Sequence, residues 1–484
     1  MKQTELFKRI QNGHCVLLGF GISNKPLVAW LQGHGAARVT VRDKRTEQAM
    51  RASGDYELCQ SLGAEVICGE DYLKDIQGDV LFRTPGLRPD APGIRNAVER
   101  GAVLTSEMEL FLNLTEATVI GITGSDGKTT TTTLTALFLE KEAAKRGTFK
   151  VFRGGNIGNP LLPEVEQMTV GDVAVVELSS FQLMTATESP HRAVLTNISP
   201  NHLDWHPDMD EYIAAKRNVF DHMPCERLVV NAENDVVRDM AMTATVPVTR
   251  FSSVRTGFDS VWNDMNGSDA IFVRDGIICL SDGKAERQVL PLSEIRLPGW
   301  HNVENYMAAI AVTDGLVSNE SIREVAAEFT GVPHRQELVA EHGGVRYINS
   351  SIDSCPSRTA TALRAMDAEG VRPIIICGGR DKRVPFDTLA DDLCRYAKAV
   401  VLTGEARGQI MDALQACPTF DPSRLPVTVV PAFTEAVNTA CDFATAGDVV
   451  LLSPACTSFD AFNHFDERGD AFKRIVLEWI RNNF

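Results

Sequence analysis

A glycine-rich turn runs directly into a lysine and a threonine in GITGSDGKTT (121–130), and this is the spacing in the chain most able to do chemistry. A β-branched run, ATVIGIT, precedes it, and a helix-like stretch, TTTTTLTALFLEKE, follows. Strand, tight turn and helix start make an anion site. Backbone amides around Gly124, Ser125, Asp126 and Gly127 face a phosphate, Lys128 reaches its charge, and Thr129 and Thr130 add hydroxyls, the first suited to Mg²⁺. The strict phosphate-loop spacing is absent, because the glycine it needs falls on Ile122. Asp126 is the odd member. A carboxylate about 6 Å from a phosphate charge costs about 2–3 kcal/mol at an effective dielectric of about 20. Taken alone, the segment is also compatible with a plain glycine turn and a solvated lysine.

Other polar clusters have similar double readings. The next strand-like run ends in VVELSSFQL, where Glu177 is either a solvated strand-end acid or, one βα unit after a phosphate loop, a Mg²⁺ ligand. In TNISPNHLDWH, the set His202, Asp204 and His206 invites zinc but lacks a thiolate or a well-spaced third histidine. Ordinary hydrogen-bonded loop histidines suit it better. Near the N-terminus, LLGFGIS and Asp43 at the end of VTVRD resemble a dinucleotide fingerprint, with Asn24 where the third glycine belongs. A plain tight turn explains that stretch equally well.

The elements that must hold these residues alternate along almost the whole chain. HCVLLGF, ARVTVRD, GDVLFRT, ATVIGITG, VAVVELSS, RAVLTNIS, RLVVNAE, RPIIICGG, AKAVVLTG and GDVVLLSPA are short apolar runs, most leading through Gly, Ser, Asn or Asp into helix-like stretches. That pattern predicts an α/β fold with parallel sheets covered on both faces and ligands at the carboxyl ends of the strands. Residues 251–289 are richer in Gly, Asp and Ser and predict an antiparallel excursion. Boundaries fall near residue 106 and near residue 331, giving 1–106, 107–331 and 332–484.

Composition narrows the function classes. The 484 residues are 44% hydrophobic and 23% charged, which is globular rather than disordered. A net charge of −16 argues against nucleic-acid or anionic-membrane binding, though not against a small anion held by local donors. No apolar run approaches the ~18 residues of a membrane span. CVLLGF near the N-terminus reads as a first strand rather than a signal peptide. Eleven cysteines without a CxxC pair favour a reducing cytoplasm over a disulfide framework.

Taken together, TGSDGKTT, GGNIGNP (154–160), ELSSFQL (177–183), TNISPNHLDWH (196–206), YIAAKRNVF (212–220), LPGWHNVEN (297–305) and GVPHRQE (331–337) resemble, in order, the blocks of the Mur ligases, ATP-dependent amide-forming enzymes of peptidoglycan synthesis. The C-terminal LLSPACTSFDAFNHFDERGDAF (451–472) and ELSSFQL are most similar to the branch that adds D-glutamate. The resemblance implies three α/β domains: a Rossmann-like one for a UDP-sugar, a central ATPase and a Rossmann-like C-terminal one for the amino acid. It implies cytoplasmic joining of UDP-N-acetylmuramoyl-L-alanine and D-glutamate through an acyl phosphate, with ATP, two Mg²⁺ sites, small-molecule substrates only, and a monomer. A carboxylate is a poor acyl donor, so its phosphorylation is chemically sensible; the catalysis is then charge neutralisation and positioning.

Residue by residue, the resemblance assigns Lys128 and Thr129 to the phosphates and one Mg²⁺, with Glu177. His202 would hold a second Mg²⁺. Lys216 matches a lysine that is carbamylated in the family, although on its own it reads as a helix-surface lysine. Asn302 and Asn305 would lie by the adenine and Arg335 by the phosphates. The UDP end would take Ile22, Ser23, Asp43, Lys44, Arg45 and Gly86, with Asn156 near the substrate's other end. D-Glutamate would take Ser354, Lys382, Ser458 and Phe465, with Lys382 as the required cation.

Departures concentrate in one place. Where the pattern reads Asn-Asp-Ser-Lys-Ala-Thr-Asn, this chain has Asn349-Ser350-Ser351-Ile352-Asp353-Ser354-Cys355, so an acid and a lysine are missing and Asp353 is the candidate substitute for the acid. Asn201 and Trp205 also stand where Asp and Arg are commoner. Folylpolyglutamate synthase is the second reading, but about a hundred residues precede the phosphate loop here, which that family does not need. An NAD-dependent oxidoreductase would rest on GFGIS alone. A non-catalytic nucleotide-binding scaffold would need none of Glu177, His202 and Lys216.

Overall fold

The computed structural model describes residues 2–203, 205–253, 269–297, 299–368, 370–380 and 385–483. Among the described residues lie three sheets of five, nine and six strands. The first contains β1 (His14–Leu18), β2 (Arg38–Asp43), β3 (Glu65–Cys68), β4 (Val80–Arg83) and β5 (Val103–Thr105) in the order β3-β2-β1-β4-β5, all parallel. β1 and β4 are apolar along nearly their whole length because helices cover both faces. Strand order reverses between them, which is where such sheets open a ligand crevice. Asn24 explains the missing third glycine. It is fully buried, and its Nδ2 donates to the carbonyls of Gly19 (2.9 Å) and Phe82 (3.3 Å), tying the ends of β1 and β4 together across that crevice.

The second sheet contains β6 (Thr118–Thr123), β7 (Val151–Gly155), β8 (Val173–Glu177), β9 (Arg192–Leu195), β10 (Arg227–Asn231), β11 (Val248–Ser252), β12 (Ala270–Arg274), β13 (Ile277–Ser281) and β14 (Glu286–Pro291). Its order is β14-β13-β12-β11-β10-β9-β6-β8-β7. Register does the positioning: Ile122 of β6 lies beside Glu177 of β8, Thr123 beside Leu195 of β9, and Gly155 of β7 beside Glu177. The loops after four strands therefore emerge side by side. The antiparallel excursion expected from 251–289 is realised as β12 to β14, which extend the same sheet; residues 254–268 lie outside the described residues.

The third sheet contains β15 (Glu337–His342), β16 (Val345–Asn349), β17 (Ile374–Gly378), β18 (Ala399–Thr403), β19 (Val427–Val429) and β20 (Val449–Leu452), ordered β15-β16-β20-β17-β18-β19 with only β15 antiparallel. The first two sheets belong to one compact unit, Met1–Phe329, and the third to another, Thr330–Phe484. Within the first unit, one continuous core runs from Phe7 and Trp30 through Leu110, Phe111 and Leu114 to Leu195 and Val230. The helix Glu107–Leu114 is thus the apolar bridge between two sheets. No helix among the described residues is long and apolar enough to cross a membrane.

Candidate functional site

The turn after β6 is built for glycine. Gly124 has φ +148°, and a Cβ there would stand 1.9 Å from Thr196 Oγ1. The loop after β9 grips the turn. Ser125 N donates to the Asn197 carbonyl (2.8 Å), Asp126 N to Asn197 Oδ1 (2.8 Å), and Thr196 Oγ1 donates to the Asp126 carbonyl (2.6 Å). Two amides expected to face an anion, those of Ser125 and Asp126, are therefore committed to the fold. The amides left to face an anion are those of the first turn of the helix Lys128–Arg146. The Asp126 side chain does not cap this helix: the cap is Gly127, left-handed with φ +78°, and Asp126 is exposed. Asn305 Oδ1 accepts from Thr131 Oγ1 (3.1 Å) and crowds the position a Gly127 Cβ would take, so Asn305 braces the turn; its Nδ2 donates to Asn302 Oδ1 (3.2 Å).

Beside the turn, Glu177 is 2% exposed. It accepts from Thr129 Oγ1 (2.8 Å) on one oxygen and from Asn156 Nδ2 (2.7 Å) on the other. Lys216 is equally buried, donating to the Gly124 carbonyl (2.8 Å) and Thr123 Oγ1 (3.1 Å), with its Nζ 4.9 Å from the centre of the Tyr212 ring. Lys128 Nζ donates to the same Gly124 carbonyl (3.0 Å) and to that of Ser125 (2.8 Å). Two ammonium groups on one carbonyl repel. Burial first, and then the Lys128 charge, push the Lys216 pKa well below its usual value, against the pull of Glu177 and Asp126. A neutral buried amine is a nucleophile, the precondition for carbamylation. The hydroxyl and carboxylate of Thr129 and Glu177 are hard oxygen donors at a phosphate turn, so the residues present fit Mg²⁺.

His202 lies in the loop after β9, exposed and left-handed with φ +56°. The ring of Phe181, four residues beyond Glu177, meets its edge at 5.0 Å. His206 is not a metal ligand: its Nδ1 is 2.8 Å from Glu211 Oε1 and its Nε2 3.0 Å from Ser180 Oγ. Asp204 lies outside the described residues.

The residues assigned to a UDP end all sit at or just beyond the carboxyl ends of β1, β2 and β4. Ile22 is 76% exposed, Lys44 and Gly86 are exposed, and Ser23 is half-buried. Asp43 accepts from Phe20 N (2.8 Å) and from Arg45 N and Nε (2.9 Å each). Burial would raise its pKa, but these hydrogen bonds, led by that of the Arg45 side chain, hold it below the usual carboxylate range. Arg45 also reaches Asp55 (2.8 Å), so it orders the loop around Asp43.

In the second unit, Asn349 of β16 lies beside Leu452 of β20, so segments 350–354 and 453–458 emerge together. Asp353, 8% exposed, accepts from Ser453 Oγ (2.9 Å) and from the Ser350 hydroxyl, and burial raises its pKa. Its carboxylate thus comes within one hydrogen bond of the side chain at position 350. Ser354 is half-buried, Ser458 is buried, and Phe465 is 39% exposed with its carbonyl accepting from Ser351 Oγ (2.6 Å). Arg335 is exposed beside the left-handed His334 and Gln336. Lys382 lies outside the described residues.

Sequence reasoning missed Thr196, Asn197 and Tyr212 as partners of the turn. They stand within the TNIS and YIAAK blocks, but only the sheet register shows what they hold.

Residues 122–313 match the Mur ligase middle domain and residues 334–456 the glutamate ligase domain of Mur ligases. The chain is 41% identical to the UDP-N-acetylmuramoylalanine–D-glutamate ligase of Acetivibrio thermocellus, covering 98% of each. It is 42% identical to that of Clostridium novyi, covering 98% of this chain and 99% of the relative. Among solved structures, the UDP-N-acetylmuramate-alanine ligase of Thermotoga maritima shares the fold at 18% identity, with a TM-score of 0.51 over 96% of this chain and 99% of that one.

Proposed function

The chain belongs to the Mur ligase family, and from that membership we propose that it joins D-glutamate to the carboxyl group of UDP-N-acetylmuramoyl-L-alanine, converting ATP to ADP and phosphate. Members of the family are ATP-dependent ligases of peptidoglycan precursor synthesis. The observation that carries the reading is the buried cluster on the phosphate turn. Thr129 and Asn156 both hold Glu177, and Lys128 and Lys216 converge on Gly124, in a chain with full-length relatives of that activity.

Each group has work in the reaction. Lys128 draws the transferred phosphoryl group toward the turn and neutralises charge that develops there. Thr129 and Glu177 would hold one Mg²⁺, and His202 with Lys216 as its carbamate would serve the second. When bound, the metal would supply neutralisation of the negative charge that gathers at the reacting centre. Carbamylation replaces a cation with an anion, which removes the repulsion between Lys216 and Lys128. Asn302 and Asn305 belong to the nucleotide side, by the adenine. The segments bearing Ile22, Ser23, Asp43, Lys44, Arg45 and Gly86 form the UDP-sugar side, with Asn156 near the substrate's other end. Ser354, Ser458, Phe465 and Lys382 belong to the amino-acid side. The domain division at 106 and 331, a cytoplasmic setting and a monomeric state are part of the same proposal.

Phosphate release measured with UDP-N-acetylmuramoyl-L-alanine and a panel of D- and L-amino acids tests it. D-Glutamate should be the amino acid that drives turnover. Release indifferent to the amino acid, or driven by an L-amino acid with a folate acceptor, overturns it.

A further inference from the structure

The loop after β4, assigned to the UDP-sugar, and the loop after β9, which bears His202, are joined by one side chain, Arg88. It follows β4 on the turn that carries Gly86, and its guanidinium is shared between two carboxylates. It contacts both oxygens of Asp90 (2.9 and 2.8 Å) and both oxygens of Glu211 (2.9 Å each). It also donates to the Trp205 carbonyl (3.0 Å) and lies over the Trp205 ring, 4.8 Å from its centre. Trp205 answers from the other side, its Nε1 donating to the Gly86 carbonyl (3.0 Å). Glu211, held by Arg88, in turn holds His206. The Phe181 ring closes the assembly, packing on His202, Trp205 and His206.

What this assembly fixes is the backbone of His202. A non-glycine residue in the left-handed region is there at a cost, and it persists where its surroundings over-determine it. Here the amides of Trp205 (3.0 Å) and His206 (2.9 Å) both donate to the His202 carbonyl, and both residues are anchored through Arg88. We propose that Arg88 is a positioning residue for His202: a fork of charge-assisted bonds from the first sheet's loop holds the loop after β9 in the conformation that presents His202. The proposal rests on the assignment of His202 to a metal site. A bidentate arginine suits the task because its planar donors set direction as well as distance, which a lysine does not.

The test uses the full chain with Arg88→Ala, Arg88→Lys and, as a control, His202→Ala. Amide hydrogen exchange of the ligand-free protein reads the loop directly; Arg88→Ala should speed exchange at Trp205 and His206 by about tenfold or more, with Arg88→Lys between it and the wild type. Mn²⁺ affinity, read by electron paramagnetic resonance with a non-hydrolysable ATP analogue, should fall by about tenfold and kcat by a similar factor, with the UDP-sugar Kd changed less than about threefold. Unchanged exchange, or faster exchange with unchanged Mn²⁺ affinity and kcat, overturns the proposal. If His202→Ala itself leaves Mn²⁺ affinity and kcat intact, the metal-site assignment fails instead. Should Arg88→Ala not fold, Trp205→Phe removes the bond to Gly86 while keeping an aromatic ring beside Arg88 and Phe181, and should still speed exchange at His206; if it does not, the proposal falls.

Discussion

Asp126 shows how a single side chain is read and misread. Its place two residues before Lys128 is plain in the sequence, and so is the electrostatic difficulty. Its direction is not, because direction depends on Thr196 and Asn197, which another strand brings in. With the carboxylate exposed and the backbone carrying the contacts, Asp126→Asn should keep activity and leave the ATP KM unchanged; a loss beyond about tenfold, more than 1.4 kcal/mol, would make the carboxylate a working group. Lys216 was legible only through resemblance, since its helix position looks like a surface one. Its burial and its shared carbonyl with Lys128 give the physical reason for a depressed pKa. Lys216→Met should therefore leave the fold intact and reduce kcat by about a hundredfold or more, the scale of losing a charge-stabilising group at a reacting centre. A stopped-assay kcat within tenfold of wild type would contradict its role. Asp353 stands within reach of the position where the expected acid is missing. Asp353→Ala should raise the ATP KM, and an unchanged KM would show that the carboxylate does not substitute for that acid.

Elements were the more legible level. Ten apolar runs quoted from the sequence all became strands, because buried parallel strands must be apolar along their length. Other strands escaped, β7, β11 and β16 among them; the four at the edges of the first and third sheets are short or marginal: Glu65–Cys68 has alternating exposure, Val103–Thr105 and Val427–Val429 have three residues each, and β15 is half-exposed. Such edges take their structure from a neighbour rather than from their own composition. Two predictions belong here. Gly124→Ala would drive a methyl into Thr196 and the loop behind it, so ATP binding should be lost while the far end of the sheet stays folded; retained ATP binding would contradict the close approach. The bridge helix Glu107–Leu114 carries two buried acids, Glu107 and Glu109, each raised by burial to about 7. Each binds more protons folded than unfolded between its unfolded value of 4.5 and about 7. Their contribution is complete below that window, declines as pH rises through it, and is flat above. Glu107→Gln removes one such titration, on the order of 1–3 kcal/mol. Its urea midpoint should fall less than wild type's between about pH 5 and pH 8; parallel declines would place the titration elsewhere.

At the scale of the molecule, alternation of strand and helix announced an α/β protein, but it could not say that two sheets share one continuous core while the third forms its own unit. That distinction depends on which apolar faces meet, and the strand-like runs of all three sheets look alike in the sequence. The phosphate turn illustrates the same limit. Strand ends tens of residues apart in sequence are set side by side by register alone, which is what gathers Gly124, Glu177 and Asn156. The account's central claim is that this gathering activates a carboxylate for attack by D-glutamate. The most direct measurement supplies UDP-N-acetylmuramoyl-L-alanine labelled with heavy oxygen in its carboxyl group, together with ATP and D-glutamate, and determines by mass spectrometry both the product and the released phosphate. The account predicts a product extended by one glutamate residue that keeps one labelled oxygen in its new amide, with the other labelled oxygen in the phosphate released. Product with unlabelled phosphate, or labelled phosphate with no glutamate joined, would contradict it.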